Sequence, residues 1–186
     1  MKIKTHKKDR VTSVTNLEGQ TMTVSYGVGD YVKQVTRFDG TIVTNEYNSD
    51  GLLYRIRFPD STNTFTYLKN GLLSNAVNET CAISNTWSWA NRLSSSKSVV
   101  NGLASTVSYS HDPAGNPTNV ASVAGSTAMT FDEAERIASI VASRGALSPL
   151  GFTFTYDENN GLMSGMTCTN TGITVTYYRN DLDQVV

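Results

Sequence analysis

One pattern recurs along almost the whole chain at spacings of 20 to 25 residues, and it constrains the fold more than any single motif does. Each copy has a mostly aromatic anchor, a polar turn, and two mostly apolar positions beyond the turn. A fixed period of this length is the sequence signature of repeat architectures. The eight anchors are Tyr26, Tyr47, Tyr67, Trp87, His111, Phe131, Tyr156 and Arg179.

Four or five residues after each anchor comes a residue that we call the turn residue. Glycine, asparagine and aspartate fill most of these positions, and they are the residues that tolerate the positive φ angle of a tight turn. Each copy is therefore predicted to be a β-hairpin whose strands flank the turn. The eight turn residues are Asp30, Gly51, Gly71, Asn91, Gly115, Glu135, Gly161 and Asp183.

The apolar positions two and five residues beyond the turn, such as Leu53 and Ile56, differ in parity. Residues of unlike parity in a strand point to opposite faces of the sheet. The second strand of each hairpin therefore either carries a bulge or buries side chains on both faces. We expect neighbouring hairpins to join their apolar faces into one continuous core, with the aromatic anchors buried in it.

The predicted fold class is all-β, with tandem antiparallel β-hairpins forming a twisted β-strip that is either open or curled into a shell or closed barrel. Residues 9–186 are predicted to form this single array of about eight repeats with partial ends, and residues 1–8 a basic, disordered end. The terminal strands would expose unpaired edges, through which the chain could self-associate.

Composition argues against several classes of function. The chain has 15 basic and 16 acidic residues, so no global charge favours a nucleic-acid partner. Lysines near the start, Lys2, Lys4, Lys7 and Lys8, are not followed by an apolar run, so they do not indicate a signal peptide. The longest apolar runs fall short of the 18 residues that a membrane-spanning helix needs.

Sites that look chemical are better explained by the repeat. The stretch Asp112-Pro113-Ala114-Gly115 occupies the turn of the fifth copy, and Gly27-Val28-Gly29 and Asp157–Gly161 occupy others. His111 stands at an anchor position and is expected to pack as an aromatic ring would. With two histidines and scattered acids, no catalytic constellation, metal site or cofactor site can be assembled, so we predict that the chain is not an enzyme.

Three stretches carry a resemblance to a known family: Tyr156-Asp157 before Gly161, FDEAERI at 131–137 and HDPAGNPT at 111–118. They resemble the YD repeats of the rearrangement-hotspot (RHS) family, and the resemblance extends over residues 9–186. It implies a β-strip that spirals, in larger relatives, into a hollow shell. In bacterial toxin relatives the shell encloses a toxic C-terminal segment; in animal cell-surface relatives it serves adhesion, and some members are described as carbohydrate-binding.

The sequence departs from the family pattern in ways that limit what the resemblance implies. The aspartate that follows the anchor is present only as Asp112, Asp132 and Asp157. The self-cleaving RHS core has a proline upstream of an Asp-Pro-x-Gly, but the nearest proline before Asp112 is Pro59. We therefore expect a fragment of a YD-repeat array without the RHS core or a toxin domain.

The leading functional prediction is a non-catalytic structural segment of an RHS/YD-repeat shell, in an exported bacterial protein that encloses a toxin or lies at the cell surface. Its partners would be neighbouring repeats of a longer chain, and its location secreted or cell-surface. The alternative is a cell-surface module that binds carbohydrate on exposed aromatic rows, because tyrosine and tryptophan stack well on sugar rings. The candidate residues are Tyr47, Tyr67, Trp87 and Trp89.

The two cysteines give a separate test of the predicted meander. Cys81 and Cys168 lie four repeats apart at different positions of the repeat. A meander of hairpins separates such positions, so we predict that they are not bonded to each other.

Overall fold

The computed structural model describes residues 2–5, 10–180 and 184–185. These residues hold seventeen β-strands and one short 3-10 turn, Val28–Asp30, but no α-helix. The strand ladders are antiparallel and join consecutive strands into tandem hairpins, which confirms the predicted fold class. Of the predicted basic end, Lys2–Thr5 forms a strand, whereas His6, Lys7 and Lys8 lie outside the described residues, as does the turn residue Asp183.

The described residues form two compact units. The first contains the chain up to Asn85 together with Ser98–Ala104. Its strands are β1 (Lys2–Thr5), β2 (Val11–Thr15), β3 (Thr21–Tyr26), β4 (Val32–Thr36), β5 (Ile42–Tyr47), β6 (Leu53–Arg57), β7 (Thr62–Tyr67), β8 (Leu73–Val77) and most of β9 (Cys81–Trp87).

The second unit contains Thr86–Lys97 and the described residues from Ser105 onward. Its strands are most of β10 (Leu93–Val100) and β11 (Leu103–His111), followed by β12 (Pro117–Ser122), β13 (Gly125–Phe131), β14 (Ile137–Ser143), β15 (Leu150–Tyr156), β16 (Met163–Cys168) and β17 (Thr174–Thr176).

Six of the predicted hairpins close through the same turn geometry, and the hairpin at Gly161 has one more residue in its loop. In the second copy, the Gly51 N–H donates to the Asn48 carbonyl oxygen at 3.0 Å, and the Asn48 N–H donates to the Leu52 carbonyl oxygen at 2.9 Å. This is a three-residue hairpin loop that ends in a left-handed residue. All seven turn residues within the described part have positive φ, as predicted: Asp30, Gly51, Gly71, Asn91, Gly115, Glu135 and Gly161.

The structure settles how the two apolar positions beyond each turn are accommodated. Glu46 pairs with Arg55, but the next residue, Tyr47, pairs with Leu53, so Tyr54 is an extra residue in the second strand. The same shift in register accompanies the anchors Tyr26, Tyr67, His111, Phe131 and Tyr156. Of the two predicted alternatives, the bulge is therefore correct.

The two faces of the sheet differ in chemistry within each unit. Along β15, Phe152, Phe154 and Tyr156 are half-buried on one face, while Thr153 and Thr155 are exposed on the other. The exposed face is rich in hydroxyls that hydrogen-bond across strands, as between Thr130 and Ser139 at 2.7 Å. The anchors share the apolar face because their parity is the same in every copy.

The expectation of a continuous buried core is wrong for the described residues. None of their hydrophobic side chains is fully buried, and the anchors are half-buried. The main strand contacts run between strands that are consecutive in the chain, so an apolar side chain is covered by its neighbours along the sheet. Such lateral cover leaves the anchors half-buried.

Candidate functional site

At four anchors, the tyrosine hydroxyl hydrogen-bonds the hairpin before it. The Tyr156 hydroxyl donates to the Ile137 carbonyl oxygen at 2.8 Å, and Ile137 lies two residues beyond the preceding turn residue. The same bond recurs at three other anchors, from Tyr26 to Val11 at 2.9 Å, from Tyr47 to Val32 at 3.0 Å and from Tyr67 to Leu53 at 2.7 Å. We call this contact the anchor clasp.

An arginine makes the anchor clasp in the last copy. Arg179 Nη2 donates to the Met163 carbonyl oxygen at 3.1 Å, and Met163 again lies two residues beyond the turn residue. Arg179 is one of the two predicted anchors that are not Tyr, Trp or Phe. The structure shows what arginine and tyrosine share: a long side chain that ends in a hydrogen-bond donor.

A second contact runs in the opposite direction, from the residue just after the turn to the next anchor. The Arg10 guanidinium carbon lies 4.5 Å from the centre of the Tyr26 ring, and that of Arg136 lies 4.3 Å from Tyr156. At the equivalent position Tyr31 stacks on Tyr47, with ring centres 4.8 Å apart and planes at 24°. Each such pair adds a cation–π or stacking attraction between neighbouring hairpins.

Arg92 occupies this position before the stretch that most resembled a catalytic loop. Its guanidinium donates to the carbonyl oxygens of Asp112 and, at 2.9 Å, of Pro113. The Gly115 N–H donates to the Asp112 carbonyl oxygen at 3.1 Å. The stretch is therefore a turn held by its neighbour, as predicted.

The aspartates of this column accept hydrogen bonds from their own turns. Asp132 accepts the N–H of Ala134 at 3.0 Å and that of Arg136 at 2.9 Å, and it accepts Arg136 Nε at 2.8 Å. The bond from the Arg136 backbone contributes most to lowering the pKa of Asp132 below its ordinary value. Because Asn48 uses its side-chain oxygen in the same way, the acceptor is what the position requires.

At Asp112 two opposing effects set the pKa. Partial burial acts to raise it, but hydrogen bonds from the Asn116 side chain and from the N–H groups of Asn116, Gly115 and Ala114 outweigh that effect. The net result is a pKa below the ordinary value of an aspartate. The Asp112 carboxylate thus hydrogen-bonds within its own turn, and its charged form stabilises that turn.

Candidate sugar-binding residues do not form one exposed row. Three of them lie half-buried at anchor positions: Tyr47, Tyr67 and Trp87. The hydroxyls of Tyr47 and Tyr67 donate the hydrogen bonds of the anchor clasp. Trp89 lies in a turn and is 97% exposed. It borders a cleft of about 410 Å³ in the second unit, together with Tyr109.

A larger cleft, of about 710 Å³, surrounds Tyr31 in the first unit. Tyr31 is 43% exposed, and its ring lies over the glycine of the next turn, because a Cβ at Gly51 would come within 2.3 Å of the Tyr31 hydroxyl oxygen. We call this space the Tyr31 cleft. It is lined by Gly27, Val28, Gly29, Tyr31, Lys33, Tyr54 and residues 45–51.

A polar cluster centred on Glu46 lies at the wall of the Tyr31 cleft. The Glu46 carboxylate accepts the Tyr54 hydroxyl at 2.7 Å, Arg55 Nη1 at 3.1 Å and Arg57 Nε. The hydrogen bond from Arg57 is the main cause that lowers the pKa of Glu46, and the bond to Glu46 in turn raises the pKa of Tyr54. These groups have fixed orientations, as the polar groups of a binding cleft need.

Sequence reasoning missed Tyr31, Glu46 and Tyr54. A signal for Tyr31 was present, because it directly follows a turn residue at the position where other copies carry an arginine. Glu46 and Tyr54 gave no comparable signal, since their contact depends on the bulge.

Within the described ranges, no three residues among histidine, cysteine, aspartate and glutamate come together as a metal site. No helix in this part of the chain has the length and apolarity to span a membrane. Cys81 and Cys168 are both free thiols, as predicted.

Comparison with known proteins places this repeat geometry among solved structures. No protein-family model matches the sequence, and no curated protein matches it either. Similar folds occur in crystal structures of TcdB2-TccC3. That of the form without its hypervariable C-terminal region has a TM-score of 0.74 and 14% identity, covering 98% of this chain. The chain shares its fold with them.

Two other crystal structures of TcdB2-TccC3 show the same similarity of fold. TcdB2-TccC3 gives a TM-score of 0.70 at 13% identity over 95% of this chain, and TcdB2-TccC3-Cdc42 gives 0.65 at 8% identity over 96%. In all three comparisons this chain spans 12% of the solved chain. At identities this low, the structural likeness shows a common fold alone.

Proposed function

We propose that this chain is a non-catalytic structural segment of an RHS/YD-repeat shell, in an exported bacterial protein that encloses a toxin or lies at the cell surface. The observation that carries the proposal is the anchor clasp, which recurs at Tyr26, Tyr47, Tyr67, Tyr156 and Arg179. These recurrent side-chain contacts join one repeat to the next.

Two further observations support this proposal. Asp112, in the stretch that looks chemical in sequence, accepts hydrogen bonds from its own turn, as Asp132 does in the next copy. The fold also matches a segment, 12% in length, of much longer solved chains. On this proposal, residues 9–186 act as one YD-repeat array whose partners are the neighbouring repeats of a longer chain.

An antibody raised against this chain tests the proposal in cells of the source organism. Immunoblots of the culture medium, the cell-surface fraction and the cytoplasm would measure the size and location of the antigen. We expect a polypeptide several times longer than 186 residues, in the medium or at the surface. A cytoplasmic antigen of 186 residues would contradict both the shell and its export.

The Tyr31 cleft favours a second candidate function, carbohydrate binding. Tyr31 presents a partly exposed ring that is held in place by its stack on Tyr47, and Asn45 and Lys33 supply polar groups beside it. A sugar could stack its apolar face on such a ring while its hydroxyls reach the polar rim. On this candidate function, sugar would bind in the cleft, which Tyr47 also lines.

A glycan array probed with the full chain separates the two candidates. If carbohydrate binding is the function, at least one glycan is bound, Tyr31→Ser loses it, and Tyr178→Ser keeps it. Tyr178 is a suitable control because it is 70% exposed and lies in the other unit. If no glycan binds above background, the structural role is the remaining candidate function.

A further inference from the structure

Three loops of the second unit, which alternate along the chain with the turns at 132–136 and 157–162, lie at the same end of its strands. They join β12 to β13 (122–125), β14 to β15 (143–150) and β16 to β17 (168–173), and we call them together the return edge. Successive loops of an antiparallel meander alternate between the two ends of the strands. The return edge is therefore at the opposite end from the turns at 132–136 and 157–162.

These loops contact one another and form a continuous surface. A Cβ at Gly125 would lie 2.1 Å from the Ser143 carbonyl oxygen, so the first two loops meet where only glycine fits. Asn170 links the other two, because its side chain donates to the Pro149 carbonyl oxygen at 2.5 Å and accepts the Gly151 N–H at 2.9 Å.

Each loop of the return edge has one large aliphatic side chain that is more than half exposed, and Leu150 is 47% exposed beside them. Val123 is 92% exposed, Leu147 69% and Ile173 65%. The remaining loop residues are mostly small or carry hydroxyl or amide groups. Single exposed aliphatic residues are ordinary on protein surfaces, but three on one contiguous edge mark an interaction site.

Charge is distributed unequally between the two ends of these strands. Residues 117–131, 137–156 and 162–178 contain a single charged side chain, Arg144, which is exposed on the return edge. The acids of this region stand in the opposite turns, at Asp132, Glu133, Glu135, Asp157 and Glu158. The return edge is therefore apolar and weakly cationic, and the repulsive negative charges are as far from it as the strands allow.

We propose that the return edge docks on an anionic phospholipid surface. Val123, Leu147 and Ile173 enter the boundary between headgroups and acyl chains, and Arg144 meets lipid phosphate. Burial of aliphatic side chains and attraction of a basic residue to anionic lipid are the two forces that hold peripheral proteins on membranes. The acids at 132–135 and 157–158 point away from the lipid. This docking is independent of the structural role proposed above.

Co-sedimentation of the full chain with vesicles tests the proposal. Vesicles of phosphatidylcholine alone are compared with vesicles of phosphatidylcholine and phosphatidylglycerol at about 4:1, a ratio that supplies a negative surface. We expect binding to both, tighter with phosphatidylglycerol. The double variant Leu147→Ser/Ile173→Ser should weaken binding at least about tenfold, since two buried aliphatic side chains are lost. Arg144→Gln should remove only the preference for phosphatidylglycerol.

Trp89→Ser provides the matched control, because Trp89 is 97% exposed but lies in a turn at the other end of the strands of the same unit. It should bind vesicles as the unaltered chain does. The proposal is overturned if the chain sediments with neither vesicle, or if Trp89→Ser loses as much binding as the double variant. It is also overturned if the double variant abolishes self-association in light scattering while vesicle binding is unchanged.

Discussion

The hydroxyl of Tyr156 donates a 2.8 Å hydrogen bond to the carbonyl oxygen of Ile137, nineteen residues earlier in the chain. Tyr156→Phe removes this donor and keeps the ring. A net hydrogen bond of this kind contributes about 0.5–1.5 kcal/mol, so the denaturant midpoint should fall by the corresponding amount. Phe131 shows that a phenyl ring is accepted at an anchor position.

Tyr178→Phe is the control for this experiment, because Tyr178 is 70% exposed in the same unit. Its denaturant midpoint should match that of the unaltered chain. Equal losses in the two variants would show that the anchor clasp contributes nothing specific.

Glu135 occupies a turn position with φ of 60°, where glycine stands in other copies. The left-handed region costs residues with a Cβ about 1 kcal/mol or more. Glu135→Gly should therefore raise the free energy of unfolding by about 1 kcal/mol, as measured by chemical denaturation. Asn91→Gly, at φ of 60°, should gain less because asparagine tolerates this region. A loss of stability in Glu135→Gly would refute the turn geometry.

Gly51 and Gly71 have nearly the same φ, 78° and 83°, but different surroundings. A Cβ at Gly51 meets the Tyr31 ring, whereas one at Gly71 meets nothing within 4 Å. Gly51→Ala should therefore destabilise the chain more than Gly71→Ala, and the difference in melting temperature reports the Tyr31 contact. Adding Tyr31→Ser to Gly51→Ala should remove that difference. Equal losses of stability in Gly51→Ala and Gly71→Ala would show that the Tyr31 ring does not lie over Gly51.

We predict that the chain loses stability in acid, because the turn carboxylates become protonated there. Hydrogen bonds from Arg136, first from its backbone and then from its side chain, lower the pKa of Asp132 in the folded chain. A lowered pKa means that the stabilisation is complete above the ordinary pKa of aspartate, about 4, and is lost as the pH falls through the folded value. Melting temperatures measured between pH 7 and pH 2 should decline most steeply below about pH 4.

Asp132→Asn separates the charge of this side chain from its turn contacts. Asparagine keeps the side-chain acceptor, as Asn48 does in its own turn, but has no carboxylate to lose. The variant should show a shallower decline in acid than the unaltered chain, while the turn persists. An unchanged acid profile would show that Asp132 contributes no pH dependence.

Much of the local structure could be predicted because it depends on residues close in the sequence. The φ of Gly51 or Asn91 is a requirement of its own four-residue turn, and that requirement is visible as a column of turn-forming residues. The spacing from Leu53 to Ile56 likewise reduced the second strand to two alternatives, although the bulge itself needed the register between strands. Asp112 was recognised as a turn residue by the same comparison of columns.

Contacts between hairpins were harder to predict because they depend on how far a side chain reaches across the sheet. The anchors were expected to be a buried core, yet Tyr67 is half-buried and hydrogen-bonds the carbonyl of Leu53. Neither the equivalence of Arg179 to a tyrosine nor the stack of Tyr31 on Tyr47 follows from hydrophobic periodicity. The alternative use of Tyr47, Tyr67, Trp87 and Trp89 in sugar binding stays a prediction.

Hydrogen exchange of single Tyr→Phe variants at Tyr26, Tyr67 and Tyr156 tests most directly the claim that anchors join consecutive repeats. Amide protection would be followed by mass spectrometry in each variant and in Tyr178→Phe. We predict that each anchor variant exchanges faster in its own hairpin and the preceding one, for Tyr156 in β13 to β16, with unchanged exchange elsewhere. Uniformly faster exchange in every strand, or no change in any anchor variant, would contradict the account.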